Sequence, residues 1–201
     1  MKLFVALVVI ALALRFLVFW LRGGAGRRWL GDFRKYPAPH KTYLDLRNRM
    51  LRVSRAELGF MPAATLTQPW AVIMDWGVDN GIATVVASSD GSASMYLSAG
   101  GGYIGGQSHE AIRHAAHAAV DLAAQFIPQA HMTAYFPLPN RGKVFFYFRT
   151  NSGVFTIRAR DKALREKKHP LVPLADAMEE IASQYRQLQP GAPATTPAPK
   201  S

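Results

Sequence analysis

Residues 3–21 read LFVALVVIALALRFLVFWL, an apolar run broken only by Arg15. As a helix, such a run spans about 28 Å, close to the hydrocarbon thickness of a bilayer. Arg15 lies near enough to the C-terminal end to snorkel, and Trp20 sits where interfacial aromatics gather. The run is therefore expected to be a transmembrane anchor covering residues 1–22. A cleaved signal peptide is the alternative, left open by Gly23-Gly24-Ala25-Gly26.

Charge gives the orientation. Lys2 precedes the span, whereas Arg22, Arg27, Arg28, Arg34 and Lys35 follow it. The positive-inside rule places the following body in the cytoplasm. The formal net charge of +11 is local: residues 22–55 hold ten Lys or Arg against Asp32 and Asp45. Residues 56–201 hold twelve against eleven acids and are nearly neutral. That distribution suits an anionic membrane surface and argues against nucleic acid as a partner. The chain has no cysteine, which excludes disulfides and thiolate chemistry.

Residues 23–66 form a basic juxtamembrane segment. A helix is expected from a Thr42 cap to about Glu57, with Tyr43, Leu46, Met50 and Val53 as its apolar stripe. Arg47, Arg49, Arg52 and Arg55 surround that stripe, so the helix either lies on anionic lipid or docks on the body. The expected membrane-surface residues are Arg22, Arg27, Arg28, Arg34, Lys35, Arg47 and Arg52.

Beyond Pro69 the period changes to that of strands. Runs 70–76, 81–88 and 92–98 are separated by Asp79-Asn80-Gly81 and Asp90-Gly91, both hairpin signals. Ser108 is expected to cap a helix running to about Ile127. The pattern recurs: strands at 132–138, 143–149 and 153–159, then a helix at 174–188 with Leu174, Met178, Ile181, Tyr185 and Leu188 on one stripe. The spacing fits two βββα units, although the halves share too little identity to establish duplication. The expected fold is α+β over residues 67–188, an antiparallel sheet with helices packed on one face. VFFYF has no alternation and is expected to be an interior strand covered on both sides. The element order resembles that of small regulatory folds of the roadblock or profilin type, in order alone and with no accompanying motif. Residues 189–201 are a Pro/Ala/Thr-rich tail with no periodicity, expected to be disordered.

Two stretches bear on chemistry. Gly100, Gly102 and Gly105 fit GxGxxG, but a dinucleotide site needs a βαβ unit, and the strand before these glycines belongs to a meander. The expected role is an architectural crossover. Anion binding by Gly101, Gly102, Gly105, Gly106, Ser108 and His109 is the functional alternative. In the next helix Glu110, His114, His117 and Asp121 fall on one stripe, spaced to hold a divalent metal. That stripe lies opposite the apolar residues Ile112, Ala115, Ala119, Leu122, Ala123 and Phe126, so solvated pairs are the simpler reading. Asp75, Asp79 and Asp90 read as hairpin residues, and Ser98 and Ser108 lack a positioned histidine–acid pair. The basic run 158–168 reads as a solvated loop or short helix, or as a second contact with lipid headgroups or an acidic partner. No cofactor is implied. The expected function is binding or scaffolding at the membrane through a protein partner. A metal- or anion-binding sensor or enzyme is the alternative.

Overall fold

The computed structural model describes residues 36–60 and 65–188. The expected anchor, Arg22 to Lys35 and the Pro/Ala/Thr tail lie outside the described residues. No helix among the described residues is long and apolar enough to cross a membrane.

The body is α+β. Among the described residues one helix, α1 (Lys41–Arg52), precedes strands β1 (Ala71–Val78), β2 (Gly81–Ser88), β3 (Ala93–Leu97) and β4 (Gly102–Ile104). Then come α2 (Glu110–Ala124), β5 (His131–Met132), β6 (Lys143–Thr150), β7 (Gly153–Arg160), α3 (Asp161–Arg165) and α4 (Val172–Leu188). All seven strands join one antiparallel sheet in the order β4-β3-β2-β1-β6-β7-β5.

The hairpins form where turn chemistry predicts them. Val78 pairs with Gly81 across Asp79-Asn80, and Thr150 pairs with Gly153 across Asn151-Ser152. Between β2 and β3 the Asp90 carboxylate accepts from the Ser92 amide at 2.9 Å, closing an Asx turn. The VFFYF strand, β6, lies between β1 and β7 and is buried throughout Val144–Thr150.

Side chains alternate across the sheet. One face carries Val72, Met74, Val85, Ala87, Val144, Phe146 and Phe148, packed under α2 and α4. Helix α2 lays Ile112, Ala116, Ala119 and Ala123 inward, and these small residues let α4 approach with Leu174, Met178, Ile181 and Tyr185. The buried stripe of α2 is turned slightly from the expected one. Ala116 and Val120 are buried while Ala115 and Leu122 are half-buried.

Several expectations are corrected. Helices lie on both faces: α1 covers the side opposite α2 and α4, with Tyr43, Arg47 and Leu51 buried. It begins under a His40 cap, whose Nδ1 accepts from the Thr42 amide at 3.3 Å, and ends at Arg52 rather than Glu57. The reason is a separate turn, in which Ser54 Oγ accepts from the Glu57 amide and Glu57 Oε2 from the Ser54 amide. Helix α2 starts at Glu110 behind His109, after a 3-10 turn at Gly106–Ser108, so Ser108 does not cap it.

The expected strand 132–138 shrinks to a two-residue pairing of His131 and Met132 with β7. Thr133 Oγ1 accepts from the Tyr135 amide, and Pro137 and Pro139 cannot donate to a ladder. The chain instead crosses the α1 side of the sheet. Because β5 pairs outside β7, the second set of strands does not repeat the order of the first.

Candidate functional site

The most chemically distinctive place in the body is the layer between α1 and the sheet. Asp75 lies mid-strand in β1 and is fully buried. It is not a hairpin residue, as its acidic type suggested. Strand alternation turns it toward α1, away from the apolar core under α2 and α4. Arg47, on the second turn of α1, meets it: Nε donates to Asp75 Oδ2 at 2.8 Å and Nη2 to the same oxygen at 2.5 Å. Arg47 is 2 % exposed. Expected at a lipid surface, it is corrected to a buried structural cation.

The Asp75, Thr84, Tyr43 and Tyr147 oxygens in this layer are hydrogen-bonded as well. Thr84 Oγ1, across the ladder from Asp75, donates to Asp75 Oδ1 at 2.6 Å. The Thr84 proton is thereby used, so the Tyr43 hydroxyl is the donor to Thr84 Oγ1 at 3.0 Å. Two further Arg47 protons go to carbonyls, Nη1 to Phe136 and Nη2 to Pro137, each at 3.2 Å. The Tyr147 hydroxyl also donates to the Pro137 carbonyl, at 2.9 Å. The network thus ties α1, β1, β2, β6 and the 133–142 crossing into one unit.

Electrostatics follow the geometry. Burial alone weakens the Arg47 cation, but the adjacent Asp75 carboxylate more than offsets this, and its pKa rises above the usual arginine value. Burial, and then the Asp75 charge, push the Tyr43 and Tyr147 hydroxyls well above the usual tyrosine range. On the other face, burial pushes Tyr185 up to about 12. Tyrosine is neutral when protonated, so a raised folded-state pKa means the folded protein holds its proton longer than the unfolded chain. The stability this gives is complete below about pH 10 and is lost as pH rises through the folded-state values. Denaturant titrations are expected to give level stability from pH 7 to 9 and a steep loss above pH 10. Absorbance at 295 nm should show these tyrosines ionising only with unfolding. Normal titration of all seven in the folded state would contradict the burial.

The glycine-rich stretch builds the sheet edge and the entry to α2. The Leu97 amide donates to the Gly101 carbonyl at 3.1 Å, which turns the chain back so that Gly102–Ile104 form β4 on the sheet edge. Gly106 is buried, and a Cβ there would lie 2.5 Å from both Tyr185 Oη and Ile112 Cγ2. It leaves room for Tyr185, whose hydroxyl donates to the Ala93 carbonyl at 2.7 Å. Gly101, Gly105, Ser108 and His109 are exposed. The structure therefore distributes the six expected anion-binding residues among a hairpin, an edge strand and a 3-10 turn.

Of the expected metal stripe, Glu110 and His114 form an exposed pair at 3.5 Å. His117 and Asp121 lie further along α2, where they help line a depression of about 160 Å³ with Arg55, Gln68 and Ser89. Among the described residues, no three His, Cys, Asp or Glu side chains come close enough to share an ion. Ser98 is structural, its Oγ accepting from the Ile82 amide at 2.8 Å. In the basic run 158–168, Arg165 pairs with Asp161, Lys167 with Asp176, and Lys162 and Lys168 with Glu166. Arg52 is exposed at the end of α1.

Asp75 had one legible signal: a lone acid within WAVIMDW must either end the strand or find a buried cation. Comparison with protein-family models, curated proteins and solved structures returns no significant match, so no family is assigned.

Proposed function

We propose that this chain is a membrane-anchored binding or scaffolding protein, with its α+β body on the cytoplasmic side. The observation that carries the reading is the 19-residue apolar run 3–21, followed by a segment that holds most of the net positive charge. Support for binding over catalysis comes from the buried ionisable groups. Asp75, Arg47 and Thr84 are consumed in bonds that hold α1 and the crossing segment on the sheet. A general acid or base needs an open side facing substrate, and this carboxylate has none. The metal-sensor reading draws less support, because Glu110 and His114 pair in open water.

Two measurements test the proposal. The chain is expected to stay with membranes through high salt and alkaline carbonate and to leave only with detergent. Reporters fused after Ser201 are expected to signal from the cytoplasm. Release by carbonate would overturn the anchor, and an external signal would overturn the orientation.

A further inference from the structure

The two sides of the sheet differ in charge. Helices α2 and α4, which cover one side, carry the acids Glu110, Asp121, Asp176, Glu179 and Glu180 against Arg113 and Arg186. The other side is basic. On α1 the side chains of Lys41, Arg49 and Arg52 are exposed, and Asp45 is the acid among them. Glu57, just beyond the helix, is held by the Ser54 amide.

Three more cations lie on the strands. Lys143, Arg158 and Arg160 are exposed, and the register sets them on one face, Lys143 directly opposite Arg160 and Arg158 opposite Phe145. It is the α1 face: Tyr147 and Arg149, further along β6 at the same alternation, bond to the crossing segment and to α1. Arg158 lies over the Phe145 ring at 4.5 Å. Among the described residues none of these three cations forms an ion pair. The acids nearest to them in the sequence are Asp161, which pairs with Arg165, and Asp79, which pairs with the neighbouring Arg141. Like charges directly opposite on a sheet repel, so the Lys143–Arg160 pair gains from a negative surface outside the fold.

The cations are distributed over a helix and two strands, which suits an extended anionic surface better than a small ligand. Tyr135, 74 % exposed on the crossing segment, adds to the same side an aromatic of the kind that settles among headgroups. The chain also indicates which surface this is. Of the elements of the body, α1 is nearest in sequence to the apolar run 3–21, and Arg22, Arg27, Arg28, Arg34 and Lys35 stand between them.

We propose that the body rests with its α1 face on the anionic leaflet, where Arg49, Arg52, Lys143, Arg158 and Arg160 meet lipid headgroups, and that α2 and α4 face the cytoplasm. The proposal rests on the anchored reading and names the side of the body that the membrane takes.

The chain has no cysteine, so a single fluorophore can be placed at Tyr135→Cys on the α1 side or at Ala118→Cys on the exposed side of α2. The full chain is reconstituted in nanodiscs of phosphatidylcholine with or without phosphatidylserine, and quenching by nitroxide headgroups is read. With phosphatidylserine the label at 135 is expected to be quenched several times more than the label at 118. The difference is expected to vanish in phosphatidylcholine alone and in high salt. Arg160→Glu turns the repulsive pair into an attractive one, so the thermal midpoint should hold or rise. The ratio of lipid-facing to free bodies should nevertheless fall at least about fivefold, the share of one basic residue near an anionic leaflet. Arg186→Glu, an equal change of charge on α4, should leave the quenching unchanged. Equal quenching at the two positions, stronger quenching at 118, a difference that survives without phosphatidylserine, or indifference to Arg160→Glu overturns the proposal. A chain that does not enter the discs is a failure of the anchor instead. The same labels are then read with phosphatidylserine vesicles added to the dissolved chain, and the same outcomes decide.

Discussion

Arg47→Ala is expected to destabilise the body by about 3–5 kcal/mol, the range for breaking a buried ion pair by removing one partner. The variant leaves Asp75, fully buried, with only the Thr84 hydroxyl. It also removes the donors to the Phe136 and Pro137 carbonyls, so α1 and the crossing segment lose their shared attachment. Replacing both partners, Arg47→Met with Asp75→Leu, is expected to recover most of the loss, because two apolar groups of similar size need no counter-charge. Urea titrations of the full chain, followed by tryptophan fluorescence, compare the three proteins. A loss under about 1 kcal/mol for Arg47→Ala would mean that the pair is not closed to water. A double variant as unstable as the single would mean that packing, not charge, holds α1 down.

Gly77→Ala is expected to cost toward the upper end of the overpacking range, about 3 kcal/mol. A Cβ at Gly77 would overlap the Asn140 carbonyl, which is backbone and cannot swing aside. The same glycine's carbonyl accepts from the Gly142 amide at 2.9 Å, so the crossing segment is held against β1 at closest approach. The segment would have to lift, and hydrogen exchange at the Gly142 amide should accelerate along with the drop in thermal midpoint. An alanine variant with the wild-type midpoint would show that the segment yields at little cost and is not fixed to the strand.

These two sites mark the limit of what the sequence discloses. The hairpins were legible because Asp79-Asn80-Gly81, Asp90-Gly91 and Asn151-Ser152-Gly153 are local signals, each complete within a few residues. The α4 stripe was legible for the same reason, with Leu188 alone of its five residues exposed. Strand β4 was hidden because Tyr103 and Ile104 alone carry strand propensity between glycines, too short a run to show a period. The 133–142 crossing imitates a strand in composition, and only its two prolines hint otherwise. Arg47 reads as one arginine among several on a basic helix. Its burial depends on Asp75, 28 residues away, and no period connects the two. The place of Arg149 was hidden more deeply still: its partners are the Leu51 and Val53 carbonyl oxygens, a group which every residue possesses and no pattern records.

The bonds of α1 also set an order of events during synthesis. Arg47 reaches the Phe136 and Pro137 carbonyls 89 and 90 residues later, and Arg149 reaches back 98 residues to Leu51. At ordinary translation rates that interval is about 5–20 s. Helix α1 leaves the ribosome before the sheet; Asp75 and Thr84 follow with β1 and β2, but the carbonyls that share Arg47, and Arg149, which holds the C-terminal end of the helix, appear only with the crossing segment and β6. Until then its attachment is incomplete, and its apolar side is open to chaperone, lipid or neighbouring chain. The first helix of the body is therefore among the last to be locked in place.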